Sequence, residues 1–315
     1  MSDKEKNFIS ATVYLYNAAD ELETFITMLS NVFKTHFENS EIIFINDNST
    51  DNSSDIVREM SKRVNGTSIS LLEMGYYQGR EVAMNAGRDL TIGDFVFEFD
   101  SVFVDYSEEE IMRVYYQALE GYDVVSANPD QNTRITSKLF YRLFDKFSDI
   151  NYKLSSERFR IISRRIINRA MSMNYKIPYR KVIYSCCGLP MMHLTYSVKS
   201  AEPAISELIG KKERHYRRNL GIDVMLLFTG LGYRFSITMT FIMILMMLAV
   251  IVYSFIVYMF GNPVEGWTTT ILFFSFAFFG LFGLLTIIIK YLQIILDLVF
   301  KRKQYCIENL EKLTR

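Results

Sequence analysis

The stretch EIIFINDNSTDNSSDIVREMSKRV, residues 41–64, contains a strand pattern, a polar turn and a helix pattern in direct succession. Its first part, Glu41–Ile45, is rich in β-branched and aromatic residues, which favour strands. A polar run then extends from Asn46 to Ser53, and from Ser53 to Val64 apolar residues recur at helical spacing. This succession predicts one repeating unit of an α/β fold.

The same arrangement recurs before and after this stretch. Further β-rich runs are found at Ile9–Tyr16, Ser68–Leu72, Phe95–Phe99 and Tyr122–Ser126, and helical spacing is found between them, for example at Ser107–Leu119. The alternation predicts an α/β domain with a mostly parallel sheet covered by helices on both faces. In such sheets ligands bind beyond the carboxyl ends of the strands.

Polar side chains follow three of these predicted strands. Asn17 follows the first strand, the run Asn46–Ser53 follows the second, and Asp100 and Asp105 follow the fourth. Strand-end carboxylates can accept hydrogen bonds from a base or a ribose, and a turn rich in Ser, Thr and Asn can donate to phosphate. Each cluster alone is also typical of an Asx turn or a helix cap. Together they predict a nucleotide site at one edge of the sheet.

The overall charge and the cysteines exclude some classes of partner. Lysine and arginine together number 35, as do aspartate and glutamate, so no global positive field favours nucleic acid, and we predict no nucleic-acid partner. The adjacent Cys186 and Cys187 and the distant Cys306 form no spaced metal pattern and fit a reducing compartment. The N-terminus, MSDKEKNF, lacks the apolar core of a signal peptide. We therefore expect the first domain in the cytoplasm.

Two long apolar runs near the C-terminus predict a transmembrane hairpin. Residues 235–260 contain no charged residue and 267–289 form a second apolar run, each long enough to cross a hydrocarbon layer of about 30 Å. The turn between them, 261–266, is too short for anything but a helical hairpin. Lysine and arginine flank the hairpin on both sides and are absent from the turn, so both termini are predicted to be cytoplasmic.

These features predict a multi-pass protein of the inner (plasma) membrane with four parts. Residues 1–210 are expected to form the cytoplasmic α/β domain, and residues 235–300 the two transmembrane helices. Residues 211–234 mix basic with apolar residues, as in a helix lying on an anionic membrane surface or in a plain linker helix. Residues 301–315 are expected to form a cytoplasmic tail.

Six motifs carry a family resemblance, and they cover most of the chain: VYLYNAADELETF, INDNSTDNS, GREVAMNAGRDLTIGDFVFEFD, GYDVVSA, SKLFYRLFDKFSD and RFRIISRRI. Their order resembles that of the family 2 inverting glycosyltransferases with a GT-A fold, in particular the branch that moves a sugar onto polyprenyl or dolichyl phosphate. A run of this length is more specific than a lone short motif. The resemblance implies a GT-A fold, a nucleotide-diphosphate sugar as donor, polyprenyl phosphate as acceptor, inversion at the anomeric carbon, and association into a homo-oligomer.

The resemblance also implies roles for individual residues. It assigns recognition of the base to Asp47, contact with the ribose or the metal to Asp100, and support of the metal or the donor sugar to Asp105. The full set implied to bind the donor is Tyr16, Asn17, Asp47, Ser49, Asp51, Gly79, Asn85 and Asp100. The residues implied to act in catalysis are Asp100, Asp105, Arg158 and Arg160.

Two positions depart from the family pattern. Where the family has Asp-x-Asp, this chain has Asp100-Ser101-Val102, which removes the usual second metal ligand. Magnesium needs only one or two protein carboxylates beside substrate phosphates, so Asp100 and Asp105 are expected to hold Mg²⁺ or Mn²⁺. Arg158 occupies a position where the branch often has an aspartate, so a carboxylate general base is missing there.

A phosphate acceptor tolerates the loss of that base. The second pKa of a phosphate monoester is about 6, so a lipid phosphate is already largely an anionic nucleophile at neutral pH. It needs groups that neutralise and position it, and forked arginine donors suit that task. The candidates are Arg158, Arg160, Arg164, Arg165, Arg214, His215, Arg217 and Arg218.

Two alternative functions remain open on the sequence. The acceptor can instead be a lipid-linked glycan in capsule or lipopolysaccharide assembly. The departures at Val102 and Arg158 also allow a catalytically silent homologue that binds a nucleotide or a partner protein.

Overall fold

The structure, a computed structural model, describes residues 4–130, 157–172, 179–198, 266–300 and 305–314, with single positions between 219 and 259. The chain divides into two compact units. The first comprises residues 1–145, 150–220 and 303–315, and the second comprises 146–149 and 221–302. The site considered below belongs to the first unit.

The first unit is built on a sheet whose described strands are β1 (Ile9–Leu15), β2 (Ser40–Asn46), β3 (Ser68–Met74), β4 (Phe95–Phe99), β5 (Val124–Pro129), β6 (Phe159–Ser163), β7 (Met191–Tyr196) and β8 (Ile307–Lys312). Their order in the sheet is β7-β5-β6-β4-β1-β2-β3-β8. Strand β1 pairs in parallel with β2 and β4, β2 with β3, and β5 with β7. Strand β6 is antiparallel to β4 and β5, and β8 is antiparallel to β3.

The described helices of the first unit are α1 (Ala19–His36), α2 (Ser53–Ser61), α3 (Arg80–Leu90), α4 (Glu108–Leu119), α5 (Arg164–Ser172) and α6 (Arg180–Cys186). Apolar residues of α1, α2 and α4 form one buried cluster with the strands. Those of α3 and those of α5 and α6 form two further clusters with the strands. Because successive side chains of a strand point to opposite faces, Phe97 joins the first of these clusters and Val96 another. The sheet is therefore covered on both faces, and the predicted α/β fold is confirmed.

Strand β1 and helix α3 fix the centre of the domain. All seven residues of β1 are buried, as expected for a central strand covered on both sides. Helix α3 packs closely on β2 at Gly87, where an added Cβ would lie 2.4 Å from Cδ1 of Ile45. This close approach holds α3 against β2.

The C-terminal predictions have different outcomes. Within the predicted tail at 301–315, Ile307–Lys312 form strand β8, which pairs with the edge of β3. Helix α7 (Trp267–Phe300) spans the second predicted apolar run. Within the described ranges, no helix has both the length and the apolar character needed to cross a bilayer, so the hairpin is not confirmed. The predicted membrane-surface helix at 211–234 lies almost wholly outside the described residues.

Candidate active site

The loops that follow β1, β2 and β4 meet at one edge of the sheet. Strand β1 lies between β2 and β4 and runs parallel to both, so the three carboxyl ends are adjacent. Asp47 follows β2 and Asp100 follows β4. The predicted convergence of these residues is therefore a property of the sheet order.

Asp47 is completely buried and binds the loop that precedes α3. Its Oδ1 accepts a hydrogen bond from the backbone N–H of Gln78 at 2.8 Å, and its Oδ2 accepts one from that of Gly79 at 2.9 Å. The hydroxyl of Tyr14 donates to the same Oδ2 at 3.0 Å. Because both carboxylate oxygens are bound by protein donors, Asp47 anchors this loop. The expected direct contact between Asp47 and a base is not what this geometry favours.

The dipeptide Gly79-Arg80 connects the two acids. Gly79 has a φ of 90°, a conformation that glycine adopts without strain, and its N–H binds Asp47. Nε of the next residue, Arg80, lies 3.9 Å from Oδ2 of Asp100. The dipeptide thus contacts both the acid that follows β2 and the acid that follows β4.

The predicted turn residues after β1 and β2 bind one another. Oδ1 of Asn17 accepts hydrogen bonds from the backbone N–H and the hydroxyl of Thr50, at 2.8 and 3.2 Å, and the N–H of Asn17 donates to Oγ of Ser49 at 3.0 Å. Asp51 accepts from the N–H of Ala19 at 3.1 Å and from the hydroxyl of Ser53 at 2.6 Å. These contacts fix the two loops against each other at the sheet edge.

Tyr16 and Asn85 are the remaining predicted donor-binding residues. The half-buried ring of Tyr16 lies against that of Tyr77, with centroids 4.7 Å apart. Asn85 lies in α3, and its buried Oδ1 has no hydrogen-bond partner among the described residues. The aromatic pair is the apolar surface at this edge on which a base could stack.

Asp100 belongs to a buried network of acids and bases, here called the charged cluster. Its described members are Glu81, Glu98, Asp100, Glu157, Arg80, Arg160, Arg180 and Lys181. Nη2 of Arg180 lies 2.6 Å from Oδ1 of Asp100, and Nη2 of Arg160 lies 3.1 Å from Oδ2. Arg180 also binds Glu81 at 3.1 Å and Glu98 at 3.0 Å. The cluster therefore contains equal numbers of described acids and bases.

The bases of the cluster keep Asp100 and Glu157 ionised. Burial alone would raise the pKa of Asp100, but Arg180, Arg80 and Arg160 hold that pKa well below its usual range. Burial likewise opposes ionisation of Glu157, and Arg160 and Lys181 lower its pKa overall. Burial would lower the pKa of Arg180, and Glu81, Glu98 and Asp100 raise it. Asp100 and Glu157 therefore form full ion pairs with these bases at neutral pH.

The predicted metal ligands do not fit a divalent cation. A Mg²⁺ ion about 2.1 Å from Oδ1 of Asp100 would lie roughly 4 Å from the Arg180 nitrogen. Both oxygens of Asp100 already bind buried guanidiniums, so the ion would have to displace one of them. No group of three or more His, Cys, Asp or Glu side chains in the described ranges is arranged to hold a metal. Asp100 is therefore a partner of arginines in this chain.

Asp105 is also fully engaged. Its Oδ2 accepts from Nε of Arg158 at 2.7 Å, and its Oδ1 accepts from the hydroxyl of Tyr196 at 2.7 Å. Asp105 is buried, whereas the side chain of Arg158 is 24% exposed and its guanidinium lies over the ring of Phe103. Asp105 therefore positions Arg158, and both of its oxygens bind protein donors.

The arginines near residue 160 differ in their access to solvent. Arg160 is 1% exposed and bound by Asp100 and Glu157, so it cannot reach a lipid phosphate. Arg164 donates to the backbone oxygen of Gly93, and Arg165 pairs with Asp123. Of the predicted catalytic pair, only Arg158 retains an exposed surface.

The segment that leads into β8 also reaches this edge of the sheet. Nε2 of Gln78 donates to the backbone oxygen of Cys306 at 2.7 Å, and the N–H of Cys306 donates to Oε1 of Gln78 at 2.8 Å. The backbone N–H of Gly75 donates to the same Cys306 oxygen at 3.1 Å. The loop before α3 is thus bound by Asp47 on one side and by the backbone of Cys306 on the other.

Sequence reasoning missed the bases and acids that surround Asp100. Arg180 lies outside every quoted motif, Glu81 lies within GREVAMNAGRDLTIGDFVFEFD but was given no role, and Glu98 lies inside the apolar strand FVFEF. A charged residue at an interior strand position is the signal that could have found Glu98, because such a group is buried only when paired. No comparable signal marks Arg180.

Residues 10–176 match the family model described as Glycosyl transferase family 2. The uncharacterized glycosyltransferase YkcC of Bacillus subtilis (strain 168) is 26% identical over 193 residues, which cover 59% of this chain and 59% of that protein. The undecaprenyl-phosphate 4-deoxy-4-formamido-L-arabinose transferase of Edwardsiella ictaluri (strain 93-146) is 32% identical over 126 residues, 40% of this chain and 38% of that protein. The matches thus span less than two thirds of these curated relatives.

Mannosyl-3-phosphoglycerate synthase from Rubrobacter xylanophilus aligns with a TM-score of 0.47 and 16% identity, covering 70% of this chain and 74% of that chain.

Proposed function

Because the chain belongs to glycosyl transferase family 2, we propose that it transfers a sugar from a nucleotide-diphosphate sugar to polyprenyl phosphate, with inversion at the anomeric carbon. The observation that carries the proposal is the loop Gln78-Gly79-Arg80, which is bound by Asp47 and approaches Asp100 at the carboxyl edge of a mostly parallel sheet. This edge is where open α/β sheets bind nucleotides.

The donor is placed by the loops at this edge. The base stacks against the Tyr16 and Tyr77 pair, next to the turn formed by Asn17, Ser49 and Thr50. The diphosphate lies toward Arg80, at the first turn of α3. In this proposal the anomeric carbon lies toward Asp105 and Arg158, beyond the end of β4.

The proposed acceptor is supported by the missing base and by the exposed part of Arg158. A lipid phosphate, with a second pKa of about 6, is already a nucleophile at neutral pH and needs neutralising rather than deprotonation. Arg158 has a forked guanidinium suited to phosphate and is fixed by Asp105. The relative from Edwardsiella ictaluri carries undecaprenyl phosphate in its name, which supports this acceptor class.

The reaction is a single displacement. An oxygen of the lipid phosphate forms a bond to the anomeric carbon while the bond from that carbon to the donor's diphosphate oxygen breaks. The nucleotide diphosphate leaves with the electron pair, and no proton is transferred. Catalysis then consists of holding the two phosphates in line and stabilising the charge on the leaving group.

The proposal includes a membrane anchor formed by residues 235–260 and 267–289, with the catalytic domain on the cytoplasmic side of the inner membrane. It is supported by the two apolar runs and by the exposed apolar side chains of α7, among them Phe274, Phe278, Phe282 and Ile289. Labelling of Asn262→Cys by an impermeant maleimide in intact cells tests it, with the other cysteines replaced. Labelling from outside is expected, and labelling only after lysis would contradict the anchor.

The test of function uses the full chain in lipid vesicles with undecaprenyl phosphate and a panel of labelled UDP-, GDP-, CMP- and dTDP-sugars. Formation of a labelled lipid from one donor is expected, and Arg158→Gln is expected to reduce it by more than about tenfold, because a charge-assisted contact is lost. Arg113→Gln, a surface arginine of α4, is the matched control. No labelled lipid from any donor would contradict the proposal.

A second candidate is favoured by the full engagement of Asp47 and Asp100 with protein donors. In that case the chain binds the nucleotide sugar and transfers nothing. Donor binding without turnover, to bare lipid phosphate or to lipid-linked sugars, would identify it.

A further inference from the structure

The charged cluster differs in its chemistry from a metal site. Arg180 and Arg160 bind both carboxylate oxygens of Asp100 from within the protein, at 2.6 and 3.1 Å. Neither arginine has more than 1% of its surface exposed, so their charges are fixed in place. A divalent cation on the same carboxylate would lie beside two buried positive charges.

The side of the cluster that faces solvent carries two other bases. The side chain of Arg80 is 18% exposed and that of Lys181 is 11% exposed. Arg80 follows Gly79, whose N–H binds Asp47, and Lys181 follows Arg180 in α6. A guanidinium offers a fork of N–H donors that matches phosphate geometry, and an ammonium adds a compact charge. In the described part of the cluster, these are the bases that an incoming anion can reach.

We propose that the chain binds the diphosphate of its donor without a divalent cation, with Arg80 and Lys181 neutralising the phosphate charge. Asp100 is a positioning residue that holds Arg80, Arg160 and Arg180, and it binds no metal. The inference rests on the proposed function, since the diphosphate is that of the nucleotide sugar. The same two bases stabilise the nucleotide diphosphate as it leaves.

The experiment measures donor affinity by calorimetry on the full chain, with each nucleotide sugar of the panel, in excess EDTA and again in excess Mg²⁺ or Mn²⁺. The dissociation constants are expected to agree within about threefold, because no step of binding involves the metal. Binding is read without the lipid acceptor, so the result is independent of transfer.

Variants identify the residues responsible. Arg80→Gln is expected to weaken binding by about tenfold or more in EDTA, the size of a lost charge-assisted contact, and Arg80→Lys is expected to recover part of that loss. Arg63→Gln is the matched control, because Arg63 is an exposed arginine that pairs with Glu23 and Glu59 on the surface. Asp100→Asn is expected to lower affinity by the same factor with and without metal, whereas a metal ligand would matter only in its presence.

The outcomes separate the two proposals. Binding that requires Mg²⁺ or Mn²⁺ would overturn the metal-free site and leave the proposed transfer intact. Equal affinities in Arg80→Gln and wild type would also overturn it, with thermal unfolding confirming that both are folded. If no donor binds under either condition, both the inference and the proposed function fail.

Discussion

Asp100 has a different partner from the one its motif implies. A carboxylate held by two buried guanidiniums is fixed in position and its charge is already compensated. Replacing one partner of such a pair costs about 3–5 kcal/mol, because the remaining charge stays buried and unpaired. The residue is therefore expected to matter for stability as well as for donor binding.

The contribution of Asp100 to the free energy of unfolding should fall as the pH is lowered. Its pKa is lowered in the folded chain, against the effect of burial, by Arg180, Arg80 and Arg160. Its contribution is therefore complete above the unfolded pKa of about 4 and declines as the pH falls toward the folded value. The difference in melting temperature between wild type and Asp100→Asn should be constant from about pH 8 to 5 and shrink below about pH 4. A difference that shrinks as the pH rises would contradict the ion-pair assignment.

Val102 explains why the second acid of the family motif cannot simply be restored. It is 4% exposed and belongs to the apolar cluster that includes Phe99 and Phe159. Val102→Asp would bury an unpaired carboxylate, and we expect it to lower the free energy of unfolding by at least about 3 kcal/mol.

Chemical denaturation of Val102→Asp measures this free energy. Val102→Asn is the control, because asparagine has nearly the size of aspartate without its charge. We expect the neutral variant to be the more stable of the two. A Val102→Asp protein as stable as wild type that binds donor only with metal would show that the position can still act as a ligand.

The sequence could predict where Asp47, Asp100 and Asp105 lie, because strand ends follow from hydrophobic patterning. It could not predict what they bind. Arg180 is 80 positions from Asp100, and only the folded sheet brings them together. Asp47 binds the backbone of Gln78 and Gly79, and Asp105 binds Arg158 and Tyr196, partners that no sequence pattern indicated. Their predicted roles toward a base and a metal stay predictions.

The loop Gly75–Gly79 and strand β8 form a structural unit. Gln78 pairs with the backbone of Cys306 through two hydrogen bonds, while its own N–H binds Asp47. Arg58 adds contacts of 3.0 and 2.8 Å to Glu311 of β8. The C-terminal strand thus helps to hold the loop that precedes Arg80.

Gln78→Met tests this coupling, because methionine has a similar length and cannot pair with Cys306. Loss of two hydrogen bonds is expected to lower stability by about 1–3 kcal/mol and to weaken donor binding as the loop loosens. Thermal unfolding and calorimetry provide the measurements, with Gln117→Met in α4 as the matched control. Unchanged donor affinity in Gln78→Met would show that β8 does not support the site.

Patterning predicted the strands to different degrees. Runs such as Ile9–Tyr16 and Phe95–Phe99 agree with β1 and β4 within a residue, because buried strands are apolar. Strand β8, with the sequence IENLEK, was missed because it is an exposed edge strand with no apolar face. Strand β6 carries the buried Arg160, whose charge conceals a core strand.

At the level of the whole chain, the second unit is inserted into the sequence of the first. The first unit includes residues up to 220 and again 303–315, and the second unit lies between them. Strands β3 and β8 pair in one sheet, so the chain before and after the second unit lies on the same side of any membrane. A membrane segment within the second unit would therefore have to cross the bilayer an even number of times. A two-helix hairpin is consistent with this connectivity.

Hydrogen exchange on the full chain tests most directly whether the donor binds at the edge formed by Asp47, Gly79-Arg80 and Asp100. A nucleotide sugar added in EDTA is predicted to slow amide exchange in the loop Tyr76–Glu81 and in the turn Asn46–Ser53. Exchange in β7 should stay unchanged. Protection confined to other segments, with these two loops unaffected, would contradict the account.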